Sequence, residues 1–297
     1  VDAWLPNFYN WMVDKFIVSI SRKAFPNVPA EWRFSPPPSV SVTTPLVADE
    51  IYPLLADGSA EPVSAVRRIT GSKHVELTDG RVLSDIDTII YCTGYDFSVP
   101  FLRREHNPYP VIGEPADLYR NIFPLHHDIA VRHSLAFMGQ VAIPLPGFVQ
   151  FELVAMCISQ IWLGNSLLPS FPEMQKWHRN YITWRKDLMA KQKVKSTFYV
   201  AFVPIADHLN WLDRTAGTGL FEHFGWFTRR AWEFWWRDGA FYKKCLHGLL
   251  SPAIWRLFDM GKRKPWNRAK EQVWKDNESA TRQGAERRER QQRLKED

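Results

Sequence analysis

The sequence has 297 residues, 45% hydrophobic and 24% charged, with a formal net charge of +6. That describes a globular chain of one large domain or two smaller ones and excludes a disordered one. Fourteen Trp and nineteen Phe imply large buried or interfacial aromatic clusters. Cys92, Cys157 and Cys245 lie far apart with no C-x-x-C spacing, so neither a zinc site nor a disulfide framework is indicated and a reducing, cytoplasmic setting is expected.

Val1 is not a methionine and no charged-then-apolar signal segment opens the chain, so the sequence reads as the inside of a longer protein. Leu5–Ile20 sets Phe8, Trp11, Met12, Phe16, Ile17 and Ile20 at helical spacing opposite Asp14 and Lys15, which predicts an amphipathic helix packed on a core. It is too short and too charged to span a membrane, and contact with a membrane surface is the lesser alternative to core packing. Ser35–Ser39 (SPPPS) is a stiff connector, because each Pro fixes φ and removes a donor. Val40–Val47 is β-rich and Val63–Ile69 reads as a strand. His74–Gly80 (HVELTDG) alternates apolar and polar before a turn at Asp79-Gly80, a hairpin signal that Val82 and Leu83 continue.

Asp85–Leu102 (DIDTIIYCTGYDFSVPFL) follows. Thr88, Ile89, Ile90 and Tyr91 running into Cys92-Thr93-Gly94 predict a buried parallel strand, a buried Cys92 thiol and a tight turn. By pattern alone this is an ordinary α/β core strand. The residue identities add more: D-x-D-x-x-I-x-C-T-G-Y-D-F resembles the (A/C)-T-G-Y signature of the flavin-containing monooxygenases and their Baeyer–Villiger relatives. In that family it follows a D-G hairpin and links the nicotinamide-binding domain back to the flavin-binding domain, with Asp79-Gly80 and Asp87 at the matching places here.

The resemblance continues downstream. Leu118–Pro124 (LYRNIFP) is similar to the family's L-Y-x-x-x-F-P, which is followed by a strand ending in Gly. Here that strand is predicted at Leu135–Met138, ahead of Gly139 and Gln140. His126, His127, Asp128 and His133 precede it in a predicted loop, and their spacing fits no metal-ligand pattern. Pro144, Pro146 and Gly147 introduce an apolar helix, Phe148–Leu163, closed by Gly164-Asn165. Glu152, early in that helix, reads either as a dipole-compensating acid or as a site residue. Pro169–Met174 (PSFPEM) is similar to a family segment that opens a long helix, here Glu173–Lys191. Helices follow from Tyr199 onward, and Phe221–Trp236 is aromatic all round with Arg229 and Arg230 among the tryptophans and Arg237 just after them. It reads as a packed lid or as an interfacial helix. S-P-x-x-x-R-L from Ser251 and G-K-x-x-x-W-x-x-A from Gly261 restore some of the resemblance. Gly261–Asp297 holds twelve Lys/Arg against seven Asp/Glu, a net +5 of the chain's +6, which predicts a solvated helix or a disordered tail.

The resemblance implies an α/β fold built from portions of two Rossmann-like dinucleotide-binding domains (FAD- and NAD(P)-binding, three-layer) plus a C-terminal helical layer. Residues 1–95 would be the C-terminal part of the NADP-binding domain, 96–200 the return segment of the FAD-binding domain, 201–260 an aromatic helical layer and 261–297 a charged tail. It implies FAD and NADPH as cofactors, and a flavin C4a-hydroperoxide that oxygenates a nitrogen, sulfur or ketone substrate with molecular oxygen. Thr93, Gly94, Tyr95, Gly139 and Gln140 are the expected cofactor contacts. A strand, a Gly and a helix N-terminus suit a flavin: Gly admits a ring to the backbone, and the helix end favours negative charge on reduced flavin. Without the resemblance, Gly139 equally reads as the turn of a core strand. No residue reads as an acid, base or nucleophile.

No G-x-G-x-x-G turn occurs in the sequence. The family carries two, upstream of this region, so the chain resembles the C-terminal half of such an enzyme and is not expected to bind FAD tightly alone. A paired-Rossmann flavin reductase and a non-catalytic membrane-surface or remnant module stay open. Nucleic acid is not an expected partner, since the basic residues are mixed with acids and no recognition motif accompanies them. No transmembrane segment is read, and membrane contact is limited to the surface.

Overall fold

The computed structural model describes the chain apart from residues 1–5, 26–27, 33, 35–38, 40–41, 44–50, 94–97, 110, 112, 144, 194–200, 226 and 297. The fold is α/β, and it divides into two compact units: Val1–Ser98 with Asp187–Tyr199, and Val99–Lys186 with Val200–Asp297.

The first unit opens with α1 (Pro6–Ala24), the expected amphipathic helix. Core packing is not its role here, because Trp11, Met12, Phe16 and Ile20 are exposed. Helix α2 (Ile51–Ala56) precedes a three-stranded antiparallel sheet, β1 (Val66–Gly71), β2 (His74–Leu77) and β3 (Val82–Leu83). The expected hairpin is present: β2 pairs with β3 across Asp79-Gly80, with Val75 opposite Leu83 and Gly80 at φ +90°. Alternation turns Val75 and Leu77 inward. Of the β-rich stretch Val40–Val47, only Val42 and Thr43 lie among the described residues, in a turn.

The parallel strand expected at Thr88–Tyr91 is not formed. Asp85 takes φ +60°, and Ile86 donates to the carbonyl of Lys73 at 3.1 Å. From Asp87 to Thr93 the chain forms no regular element and joins no ladder, and each of those residues is exposed. A strand takes its backbone partners from another strand, and the described residues offer this segment none. Cys92 is accordingly exposed rather than a buried strand thiol.

In the second unit, β4 (Leu118–Tyr119) and β5 (Phe123–Pro124) form a hairpin in the LYRNIFP segment, with Arg120 and Asn121 both at φ +56°. Paired positive φ values match the twist of a hairpin. The predicted loop at His126–His133 is instead α3 (Ile129–Ser134), whose N-cap Asp128 accepts from Ala130 N at 2.8 Å. The Leu135–Met138 strand is not formed either. Its one backbone tie to the hairpin is Phe137 N to Ile122 O, at 2.8 Å.

The core is built on α4 (Gly147–Trp162), the expected apolar helix. Leu153 and Cys157 are fully buried among Phe123, Met174, Leu212, Trp255 and Val273, and each large side chain so placed contributes about 1.5–3 kcal/mol. The helix ends at Gly164, φ +75°, where a side chain would be strained. Helix α5 (Phe171–Gln192) starts on a capping box, Ser170 N and Oγ both donating to the Glu173 carboxylate at 2.9 and 2.6 Å. Then come α6 (Ile205–Ala216), α7 (Leu220–Phe224), α8 (Arg229–Arg237), α9 (Gly239–His247) and α10 (Ala269–Glu296). The long aromatic stretch is thus split between α7 and α8, with Thr228 capping the latter through Ala231 N. The charged C-terminal stretch is helical throughout α10.

Candidate functional site

The loop Met138–Gln140 and the first turn of α4 form one surface. Gly139 is exposed at φ +78°, a conformation that costs any residue with a Cβ. A Cβ built there would meet only the Phe151 ring, at 3.8 and 4.0 Å, so space stands open above the backbone. The Tyr109 hydroxyl donates to Oε1 of Gln140. Burial pushes the Tyr109 phenol up to about 12, so it stays protonated and a donor at neutral pH. Asn107 Oδ1 holds the Tyr109 backbone N–H at 3.0 Å, fixing the turn that presents the ring.

Helix α4 begins at Pro146, which offers no side-chain cap, and its first turn holds no acid. The N–H groups of Val149 and Gln150 turn back to Pro146 O at 3.0 and 3.1 Å. Those of Gly147 and Phe148 have no partner among the described residues, so the positive end of the helix is open. Phe148 is 82% exposed and Phe151 is exposed beside it, giving the open end an aromatic margin. Beneath, buried Gln150 donates to Val141 O at 2.8 Å and locks the loop onto the helix. Trp255 Nε1 donates to Val149 O at 2.9 Å and fixes the same turn from the opposite side. Glu152 is tied to Arg256, whose Nε lies 2.7 Å from its carboxylate, so it serves as an ion-pair partner.

Of the expected contacts, Gly139 and Gln140 thus sit together at an open helix end. Thr93 is exposed in the first unit, and Gly94 and Tyr95 lie outside the described residues. The sequence reading missed Tyr109, Phe148 and Phe151. The pairing of Tyr109 with a glutamine 31 residues on leaves no local signal in the sequence. The histidines of the 126–133 region serve local structure. His126 and His127 stack at 4.4 Å, and Arg132 Nη1 donates to both of their carbonyls at 2.6 and 2.8 Å. Among the described residues no group of His, Cys, Asp and Glu could hold a metal ion.

A second polar cluster lies below the hairpin turn. The Arg120 guanidinium pairs with Asp207 and stands 5.0–5.7 Å from the ring centres of Trp177, Trp211 and Tyr119. His208 is fully buried beside it, and neither ring nitrogen has a hydrogen-bond partner among the described residues. Burial pushes the imidazole down to about 3, with the Arg120 charge acting in the same direction, so it is neutral at physiological pH.

Residues 7–213 match the family model described as flavin-binding monooxygenase-like. The monooxygenase aurF of Gibberella zeae is 32% identical over 285 residues, which take in 92% of this chain and 52% of that protein. Flavin-containing monooxygenase 2 of Homo sapiens is 35% identical over 127 residues, 42% of this chain and 22% of its own length. The chain therefore spans about half of the first relative and about a fifth of the second. Among solved structures, the S-allyl-L-cysteine S-oxygenase of Allium sativum is 23% identical with a TM-score of 0.37, covering 51% of this chain and 33% of that one.

Proposed function

We propose that this chain, which belongs to the flavin-binding monooxygenase-like family, forms part of an FAD- and NADPH-dependent monooxygenase, with Met138–Gln140 and the α4 N-terminus as its flavin-facing surface. The observation that carries this is an exposed Gly139 at positive φ beside an uncapped helix end with no acid in its first turn. The residues present fit such a group. Gly139 leaves open space, the N–H groups of Gly147 and Phe148 are free donors among the described residues, and the Phe148 face is apolar enough to flank a ring.

When bound, the flavin would supply the redox chemistry and the activation of oxygen. The chain's own residues bind and shield. The free N–H groups of α4 favour anionic charge on a reduced ring. Gln140, held by the neutral Tyr109 hydroxyl, keeps its amide in a fixed orientation. Gln150 and Trp255 keep the loop from shifting relative to the helix. No group at this surface is placed to act as a general acid or base, so proton transfers are not assigned to side chains here.

By the same reading, residues 1–95 and 96–200 belong to Rossmann-like NADP- and FAD-binding domains, with 201–260 as a closing aromatic layer and 261–297 as a charged tail. The family match over residues 7–213 supports a flavin-binding role for that region. The substrate is a small nitrogen or sulfur nucleophile or a ketone, and Thr93, Gly94 and Tyr95 contribute cofactor contacts. The test is NADPH-driven oxygen uptake by the full-length protein, together with the spectrum of its reduced flavin after mixing with oxygen. Slow reoxidation through a distinct oxygen-adduct spectrum supports oxygen transfer. Immediate return of oxidised flavin without product oxygenation assigns a reductase instead.

A further inference from the structure

Helix α8 exposes three tryptophans, Trp232, Trp235 and Trp236. Ala231 is buried and Phe234 half-buried against the rings of Phe224, Phe241 and Phe258, which fixes the inward face. At 100° per residue, Trp235, Trp232 and Trp236 then follow one another from the flank to the outward face. Their exposures are 40%, 61% and 84%. They touch each other in sequence, with ring centres 5.9 Å apart for Trp232 and Trp235 and 6.2 Å for Trp235 and Trp236. With Glu233 and Arg237 they line one open depression. Phe227, just ahead of the helix, is 97% exposed.

The margin of this face is cationic. Arg229 lies next to Trp236 on the helical circle and is 2.6 Å from Glu233, while Arg237 has no ion-pair partner among the described residues. None of the three indole N–H groups has an acceptor among the described residues. In a dry protein interface each would need one. At the headgroup level of a bilayer, lipid phosphates, ester carbonyls and water provide them, while the acyl boundary takes the ring bodies. No described helix is long and apolar enough to cross a membrane. A short helix with Trp on one arc and Arg at its margin matches an element that lies in the interface plane.

We propose that α8 docks this protein on anionic membrane surfaces, with Trp232, Trp235 and Trp236 at the headgroup–acyl boundary and Arg229 and Arg237 on lipid phosphates. The proposal rests on the α8 surface and is independent of the flavin reading. The test is co-sedimentation of the 297-residue chain with vesicles of phosphatidylcholine, with and without phosphatidylserine, alongside tryptophan emission. The expected result is binding to the serine-lipid vesicles with a blue shift, weakened by salt. Replacing Trp232 and Trp236 together by Ser is expected to lower partition at least about tenfold, and Arg237→Ala about fivefold. Should the double Trp variant lose its native circular dichroism, Arg237→Ala and the salt dependence decide alone. Absence of binding, equal binding to both vesicle types, or a dimer that the Trp replacements abolish without any vesicle binding would each overturn the proposal, the last assigning the face to a second copy of the chain.

Discussion

Helix α4 buries nine of its sixteen residues, whereas in the segment 84–93 every residue but Ile86 is exposed. Both are rich in large apolar side chains, so hydrophobicity alone does not separate them. Backbone hydrogen bonding does. A helix closes its own bonds and needs only a surface to pack on, which β4–β5, α6 and Trp255 supply to α4. A strand has to borrow its partners from a neighbour. After Asp85 turns at φ +60° no described strand lies in register to provide them.

The sharpest way to break this contrast is to remove matched apolar groups from both regions. Leu153→Ala in α4 is expected to lower unfolding free energy by about 2–5 kcal/mol, because the side chain is fully buried. Ile90→Ala, at a side chain 80% exposed, should change it by less than about 0.5 kcal/mol. Urea titrations of the two variants beside the parent chain decide. Equal losses would mean that segment 84–93 is buried in solution.

The core around α4 also carries a titration signature. His208 is fully buried, with its imidazole pushed down from 6.5 to about 3. Below pH 6.5 the unfolded chain takes up a proton that the folded chain refuses, so stability is fully present above that pH and lost as pH falls toward about 3. The slope from this one group approaches about 1.4 kcal/mol per pH unit. Denaturation midpoints between pH 7 and 4 should show it, and a His208→Gln variant should flatten the curve across that window.

Helix α10 repeats the contrast within one element. Asn277 is buried; its Oδ1 accepts from Leu249 N at 2.7 Å, and its Nδ2 donates to Leu249 O and Val273 O at 3.2 and 2.8 Å. Asn277→Ala leaves those backbone groups short of partners and should cost about 1–3 kcal/mol. Deleting Gly284 onward, where the described side chains are mostly exposed, should leave the melting temperature within a degree or two, on the order expected for surface changes. Composition alone does not separate the two parts of α10, because a lone buried Asn looks the same in sequence as a solvated one.

The same distinction decides how much was legible at all. Helices α4 and α5, the Gly164 stop and the Asp79-Gly80 hairpin were all readable, since periodicity, caps and turn residues act locally. Helix α3 was hidden by its length of six residues and by histidines that looked like a loop, and Asp128 emerges as its cap only in the structure. The pairing of Tyr109 with Gln140 depends on chain geometry over 31 residues, which no local pattern encodes. Gly139 and Gln140 were singled out through the family resemblance at a strand–Gly–helix unit, and that strand is not formed. The positive φ and the open helix end survive without it.

The smallest perturbation is chemical. Cys92 is exposed, while Cys157 and Cys245 are buried and their thiols are pushed up by that burial, Cys245 to about 12. A thiol reagent should therefore label one cysteine in the native chain and the other two only after unfolding. Native protection of Cys92 would show that its segment is covered in solution.

The flavin assignment is tested most directly by two glycines at opposite ends of α4. Gly139 and Gly164 share nearly the same backbone, φ +78° and +75°, and a Cβ meets no close neighbour at either. Leucine at each position therefore imposes a similar strain, on the order of 1–2 kcal/mol, and only at Gly139 does it also fill the open space beside the helix N-terminus. The measurement is flavin bound per mole of full-length protein for Gly139→Leu and Gly164→Leu. The expected result is that Gly164→Leu keeps its flavin with a lowered melting temperature, while Gly139→Leu loses most of it at the same loss of stability. Equal flavin content in the two variants would contradict the assignment and leave Met138–Gln140 as a structural turn.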